Sequence, residues 1–299
     1  MKRPTKAIIA AAGFGTRFLP QTKAMPKEMI PLIDKPIIQY VVEELVAAGI
    51  KDIIIVGSSN KRAIEDHFDV PNEDLLSNLR AGGEKKKHLI DELSELSNLA
   101  NFIYVRQKGP YGNATPLANA AHLISADEPF IYTFADDFIV ASPTRFQQMV
   151  DVYSEQQGAV LSCKPVVIDS EYDRYGIAAG EKVGDGLMKM SRIVEKPGKA
   201  DAPSNLASVS SYLLEGSFFK YLEKAQDEFS GEGEFTFQPI MQQMIDEGHP
   251  YYAYEIQNGT YYDTGDKLEY LKTVIDFGLA HPELGPELRA HIQNRLEDK

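Results

Sequence analysis

Residues 6–17 read Lys6-Ala7-Ile8-Ile9-Ala10-Ala11-Ala12-Gly13-Phe14-Gly15-Thr16-Arg17. Beyond Lys6 the apolar run is unbroken rather than alternating, which is the pattern of a strand covered on both faces, as central strands of parallel sheets are. It ends at Gly13, so the strand hands over to a glycine-containing loop. Outward from it, strand-length apolar runs alternate with helical patterns. Asp34 as a cap, Pro36 near the start and Gly49 after the end bracket Ile37, Ile38, Val41, Val42 and Leu45 as a helix. Strands follow at 52–56, 102–105, 130–134 and 159–167, with helices at 61–68, 114–124 and from Ser142-Pro143 to about 157. Residues 72–99 read as one or two polar helices whose Lys85-Lys86-Lys87 tract is a solvated face. Such alternation implies right-handed crossovers and a parallel sheet flanked by helices.

After about residue 170 the period changes to short, Gly-bounded strands at 176–179, 187–194, 207–214 and 251–256, interleaved with helices near 215–225 and 238–246. Helical patterns at 266–279 and 287–296 close the chain. There is no internal repeat or long linker. The fold class is therefore α/β: a Rossmann-like, mixed but mainly parallel sheet flanked by helices, with a smaller mixed-sheet elaboration and C-terminal helices, in one domain over 1–299.

The 299 residues include 31 Lys and Arg against 44 Asp and Glu, a net charge of −13, with 43% hydrophobic residues. That balance argues against nonspecific nucleic-acid binding, which selects a basic face. The charge is uneven, however. Residues 1–35 carry seven Lys and Arg against two acidic residues, a surplus of five positive charges, which leaves the rest at −18. A basic segment in an acidic protein is a candidate small-anion site. The lone Cys163 lies in an apolar run and reads as a packed strand residue, and a chain without disulfides suits a reducing compartment, the cytoplasm. No stretch approaches the length of a membrane span. The six histidines have no metal-ligand spacing.

The loop after the first strand continues Gly13-Phe-Gly15-Thr16-Arg17-Phe-Leu-Pro20-Gln-Thr-Lys23-Ala-Met-Pro26-Lys27-Glu28. Without Cβ atoms, glycines let backbone N–H groups approach phosphate oxygens, and Arg17 and Lys27 add a planar fork and a point charge. A dinucleotide loop needs a third glycine opening a helix, where this chain has Pro20 instead, and a P-loop needs Gly-Lys-Ser/Thr. The segment is neither. Phe134-Ala-Asp136-Asp137 at a strand end, and Asp263 flanked by Tyr262 and Gly265, offer carboxylates for a hard cation.

The loop resembles the signature of sugar-1-phosphate nucleotidylyltransferases, and its Thr-Lys-x-x-Pro-Lys-Glu form is similar to that of the bacterial UTP-glucose-1-phosphate uridylyltransferases. Further similar stretches run along the chain: Asp34-Lys-Pro-Ile-Ile-Gln-Tyr40, Lys61-Arg-Ala-Ile-Glu-Asp-His-Phe-Asp69, Val105-Arg-Gln107, Tyr175-Gly176, Val194-Glu195-Lys196-Pro197, Gly233-Glu234 and Asp263-x-Gly-Asp-Lys267. The resemblance implies transfer of a nucleotidyl group from UTP to glucose 1-phosphate, giving UDP-glucose and pyrophosphate. The same chemistry with dTTP, CTP or another sugar 1-phosphate is an alternative, and a non-catalytic nucleotide-sugar binding protein is another. It implies Mg²⁺ on Asp136 and Asp263; Arg17, Lys27 and Lys196 as catalytic cations; Ala12, Gly13, Gly15, Thr16, Glu28, Gln107 and Gly112 at the nucleotide; and Asp137, Gly176, Glu195 and Lys196 at the sugar phosphate. Residues 1–170 would hold the nucleotide and 171–265 the sugar, with 266–299 as C-terminal helices. A homodimer or homotetramer is implied, with those helices as the contact.

Three stretches depart from the resemblance. Where the family has Gly-Leu-Gly-His-Ala, this chain has Gly112-Asn113-Ala114-Thr115-Pro116. Where it has Leu-Thr-Asp, this chain has Phe235-Thr-Phe-Gln-Pro239. Ser210-Ser211 replaces a common Gly-Arg. The first two bear on the choice of base and of sugar.

Overall fold

A computed structural model of the chain describes residues 2–297. Its strands are β1 (Lys6–Ala11), β2 (Pro31–Leu32), β3 (Lys35–Pro36), β4 (Asp52–Gly57), β5 (Asn101–Arg106), β6 (Pro129–Phe134), β7 (Asp137–Ala141), β8 (Ala159–Pro165), β9 (Gly176–Gly184), β10 (Leu187–Glu195), β11 (Leu206–Glu215), β12 (Tyr251–Glu255) and β13 (Gly259–Asp263). Its helices are α1 (Ile37–Ala47), α2 (Arg62–Phe68), α3 (Glu73–Ala81), α4 (Lys87–Ser97), α5 (Thr115–Ala120), α6 (Arg145–Gln156), α7 (Gly198–Asp201), α8 (Phe218–Asp227), α9 (Gln238–Asp246), α10 (Lys267–Ala280) and α11 (Gly285–Glu297).

Nine strands form one sheet in the order β5-β4-β1-β6-β11-β8-β12-β10-β9. β5, β4, β1 and β6 pair in parallel. β8 and β12 also pair in parallel, while β11 enters antiparallel between β6 and β8, and β10 antiparallel between β12 and β9. β9 also meets β11 at Ile177 and Ala207, which curls the far half of the sheet back on itself. Successive residues of β1 and β4 point to opposite faces. Ala7, Ile9, Ile53 and Ile55 pack with α1 and α6, and Ile8, Ile54 and Val56 pack with α5, α8 and α9. Both faces are covered, which is why β1 lacks alternation. Cys163 and Tyr251 are core residues, at 0% and 2% exposure.

The structure corrects several expectations. Asp34 does not cap α1. It lies in the turn of the β2–β3 hairpin, whose pairing of Pro31 with Pro36 and Leu32 with Lys35 holds 35–36 extended, so the helix starts only after Pro36. Ser142-Pro143 precede α6 rather than opening it: Thr144 and Gln147 form a capping box and the helix begins at Arg145. The strands of the second half are not all short, because β9 and β10 form a hairpin of nine residues each and β11 has ten. β7 and β13, absent from the sequence reading, form a two-stranded antiparallel ribbon that pairs Asp137 with Asp263.

Candidate active site

The carboxyl ends of the parallel strands share one edge. Ala11 ends β1 beside Gly57 of β4, and Gly57 lies beside Arg106 of β5, after which the Gln107 N–H donates to the Gly57 carbonyl at 2.8 Å. β6, the other neighbour of β1, leads directly to Asp136. Ligands of open α/β sheets bind at such edges. The signature loop rises from β1 there, with Ala12 half-buried and Gly13, Thr16 and Arg17 exposed. It is wound into three short 3₁₀ turns at Thr16–Phe18, Gln21–Lys23 and Lys27–Met29. Gly15 has φ 64°, and a Cβ there would fall 2.9 Å from Cβ of Lys27, so only glycine fits between the first turn and the third. The Thr22 hydroxyl donates to the Gly15 carbonyl at 2.7 Å and ties the loop closed.

Lys27 turns inward and donates to Asp136 Oδ2. Burial works to lower the pKa of its ammonium, but the carboxylates of Asp136, Glu28 and Asp137 together raise it. Arg17 Nη1 donates to the Gly265 carbonyl at 3.2 Å. The register of the β7–β13 ribbon carries Asp263 to the same place, although it lies over a hundred residues beyond Asp136 in the chain. A Cβ on Gly265 would lie 3.2 Å from Asp263 Oδ1, 3.3 Å from Arg17 Nη1 and 3.3 Å from Asp136 Oδ2. Gly265 is therefore the floor of a small polar cradle. Asp263 accepts from the Gly265 N–H at 3.0 Å and from Arg174 Nη2 at 2.8 Å, and burial pushes its carboxyl up against both.

Two expected ligand contacts are corrected. Glu28 is fully buried: the 3₁₀ turn that aims Lys27 at Asp136 sends Glu28 beneath the loop, where Lys61 Nζ donates to it at 2.7 Å. Lys61, 2% exposed, also donates to the Gly13 carbonyl at 2.6 Å. Burial pushes Glu28 up and Lys61 down. This pair supports the loop from below, with the Glu28 carboxyl held under the loop rather than on its exposed face. Asp137, the first residue of β7, is likewise turned into the protein. It is 7% exposed and accepts from the Tyr261 hydroxyl at 3.0 Å; burial lifts its carboxyl to about 8 against the pull of Arg145. It anchors the ribbon and does not face a sugar phosphate.

On the second side, the β9–β10 register sets Gly176 opposite Glu195, and a Cβ on Gly176 would lie 3.0 Å from Glu195 Oε2. β10 ends at Glu195, and Lys196, at φ 47°, turns the chain out, with its N–H donating to the Tyr175 carbonyl at 3.2 Å. Arg174 and Tyr175 thus link this corner to Asp263. Glu195 and Lys196 are both more than half exposed, with Nζ 4.0 Å from Oε1, free to meet a ligand. A cleft of about 500 Å³ opens beside Glu195, lined also by Asn113, Ile193, Thr236 and Gln238. Gly112, at φ 140°, presses against the Phe235 backbone, 2.0 Å from its carbonyl oxygen if a Cβ is added. The sequence reading missed Lys61, Arg174 and Gly265 as site residues. Lys61 and Gly265 lie within quoted motifs, but their partners are distant in the chain.

A family model described as nucleotidyl transferase matches residues 6–276. The chain is 42% identical over 296 residues to a Bacillus subtilis protein named UTP–glucose-1-phosphate uridylyltransferase, covering 99% of this chain and 98% of that one. It is similar to the solved structure of a UTP-bound UGPase from Acinetobacter baumannii, at TM-score 0.84 and 33% identity over 97% of this chain and 99% of that one. A UDP-glucose pyrophosphorylase complexed with UDP-glucose aligns at TM-score 0.79 and 32% identity, over 92% and 98% of the respective chains. No helix among the described residues is long and apolar enough to cross a membrane.

Proposed function

The chain belongs to the nucleotidyl transferase family, and from that premise we propose that it makes UDP-glucose and pyrophosphate from UTP and glucose 1-phosphate, by direct attack of the sugar phosphate on the α-phosphorus. The attacking phosphate is already ionised at neutral pH, so no general base is needed. The protein must align the substrates and offset roughly six negative charges. One observation carries the reading: Arg17, Asp136 and Asp263 converge on Gly265, with Lys27 on Asp136, at the carboxyl edge of the parallel strands.

Gly13, Gly15 and Thr16 present the loop backbone to the triphosphate, with Arg17 and Lys27 supplying charge. Gln107 and Gly112 meet the base, and Gly176, Glu195 and Lys196 hold the sugar phosphate. Residues 1–170 thus serve the nucleotide and 171–265 the sugar. Asp136 and Asp263 would hold Mg²⁺: they are hard oxygen donors around a cradle that a methyl group would fill, and each is neutralised by a side-chain cation that a metal ion can replace. Bound there, Mg²⁺ neutralises phosphate charge and orients the triphosphate. Lys27, which donates to Asp136 here, would in that state be available to pair with phosphate oxygens. Buried Cys163 and nucleotide substrates favour the cytoplasm. Leu268, Leu271 and Ile275 are 59%, 56% and 46% exposed and share one face of α10, which supports a homo-oligomer joined through the C-terminal helices.

The test is pyrophosphate release with UTP, dTTP, CTP, ATP and GTP crossed with several sugar 1-phosphates. UTP with glucose 1-phosphate should be the best pair, and chelation of Mg²⁺ should abolish release. Asp136→Asn should lower kcat by about 10²–10³-fold, as loss of a charge-organising group does; retention of activity within about tenfold would refute these roles.

A further inference from the structure

Two of the three stretches that depart from the family pattern, 112–116 with the residues just before it and 235–239, touch each other. The Phe235 N–H donates to the Tyr111 carbonyl at 2.8 Å, and the Ala114 N–H donates to the Phe235 carbonyl at 3.0 Å. Gly112 leaves no room for a side chain against that backbone. From below, Phe235 and Phe237 are fixed in the core, at 4% and 0% exposure, with Phe237 edge-on to Tyr132 and Tyr212. What reaches the cleft is the alternate set, Glu234, Thr236 and Gln238, beside Glu195.

Between the two stretches stands Asn113, with both ends of its amide engaged. Oδ1 accepts from the Phe237 N–H at 3.1 Å and Nδ2 donates to Gln238 Oε1 at 3.2 Å, while its own carbonyl accepts from the Tyr132 hydroxyl at 2.6 Å. Gln238 opens α9 and lines the cleft, and with its carbonyl oxygen committed to Asn113 its NH₂ is left to donate elsewhere. Among the described residues nothing else pairs with that nitrogen. The cleft therefore offers carboxylate acceptors at Glu195 and Glu234 and, since the Gln242 NH₂ is engaged by the Ser191 carbonyl and Asp246, a free amide donor at Gln238, a combination suited to a vicinal diol, whose hydroxyls both donate and accept.

We propose that Asn113, carried on the nucleotide-side loop, is a positioning residue for the sugar: by holding the Gln238 amide in one orientation it sets which sugar 1-phosphate the cleft accepts. The proposal rests on the functional reading above. Asn113 acts on the sugar side alone, because its loop keeps its other anchors when the side chain is lost. Those are the two Phe235 backbone bonds and Asn119, whose amide bonds both the N–H and the carbonyl of Lys108 at 2.8 Å.

The experiment is steady-state kinetics on a double-mutant cycle of Asn113→Ala and Gln238→Ala, with Asn113→Asp as a third variant. Each alanine variant should raise KM for glucose 1-phosphate about tenfold, the scale of one lost hydrogen bond of roughly 1.4 kcal/mol, with KM for UTP within about twofold. The double variant should be no worse than either single one, because the two side chains act as a unit. Asn113→Asp keeps the acceptor for Phe237, so it should retain slow hydrogen exchange at that amide yet still raise the sugar KM, which separates positioning from folding. Additive effects, equal increases in both KM values, or an Asn113→Asp variant with wild-type sugar KM would overturn the proposal. If the wild-type protein released no pyrophosphate from UTP and glucose 1-phosphate, the functional reading would fall, and the cycle would be run on whichever pair the panel shows to react. If no pair reacted, wild-type exchange at the Phe237 amide in Asn113→Ala would overturn the proposal on its own.

Discussion

Gly265 separates what a residue's chemistry reveals from what its surroundings demand. It has no functional group, yet a single methyl would press on Asp136, Asp263 and Arg17 at 3.2–3.3 Å. Gly265→Ala should therefore lower kcat/KM by about 10²-fold, as a misplacement on the order of 1 Å does, while leaving the melting temperature nearly unchanged. An alanine variant with full activity would show that the cradle is not used. Glu44 makes a different point. Its carboxyl is buried against Arg145, whose guanidinium is fully buried and donates to it at 2.9 Å. Burial lifts the Glu44 carboxyl to about 7, against the pull of Arg145. A carboxyl raised above its unfolded value holds a proton in the folded state that the unfolded chain has released. Its stabilising effect is thus complete below about pH 4 and is lost as pH rises through 7. Glu44→Gln should remove that slope, so its melting temperature should gain on wild type by about 2–5 °C between pH 5 and 8. Parallel melting curves for the two proteins would refute it. At this scale the sequence marked Lys27, Asp136 and Asp263 through motif and charge. It misjudged Glu28 and Asp137, because both are buried on partners, Lys61 and Tyr261, that lie far off in sequence.

Among elements, legibility followed burial. β1, β4 and β6 are covered on both faces and show as unbroken apolar runs, so the parallel half was readable with its loops. The β7–β13 ribbon was not. Its strands have five residues each, β13 is no more than half-buried, and neither joins the main sheet. Nothing in either stretch names the other, yet their pairing brings Asp263 to Asp136. The contact between 108–116 and 235–239 was hidden for the same reason, though both showed as departures from the family pattern. The exposed stripe on α10 was legible as a helix but not as a surface. If the chains join through that stripe as proposed, Leu271→Asp with Ile275→Asp should convert the proposed homo-oligomer to monomer in size-exclusion chromatography with light scattering, without loss of turnover per chain. An unchanged mass would place the contact elsewhere.

Across the whole molecule, a net charge of −13 hides a division that the fold puts to use. The positively charged N-terminal segment supplies the loop cations, and carboxylates from the middle and from near the end of the chain complete the cradle around them. Most charge elsewhere is solvated surface, as the exposed Lys85-Lys86-Lys87 tract illustrates. The ribbon also sets an order of events during synthesis. A chain growing on the ribosome displays the Gly13–Lys27 loop and Asp136 long before 259–263 exist, and the late strand must then close a loop of more than a hundred residues, which makes such pairings slow. Nascent chains stalled after β12 should keep the parallel half protected from protease yet gain no further protection from Mg²⁺ and UTP, whereas chains extended past α10 should gain it. Ligand-dependent protection before β13 emerges would contradict this order. On the proposed roles the second carboxylate would work as a completion check: the charged substrates could not be engaged until β13 had followed the rest of the sheet.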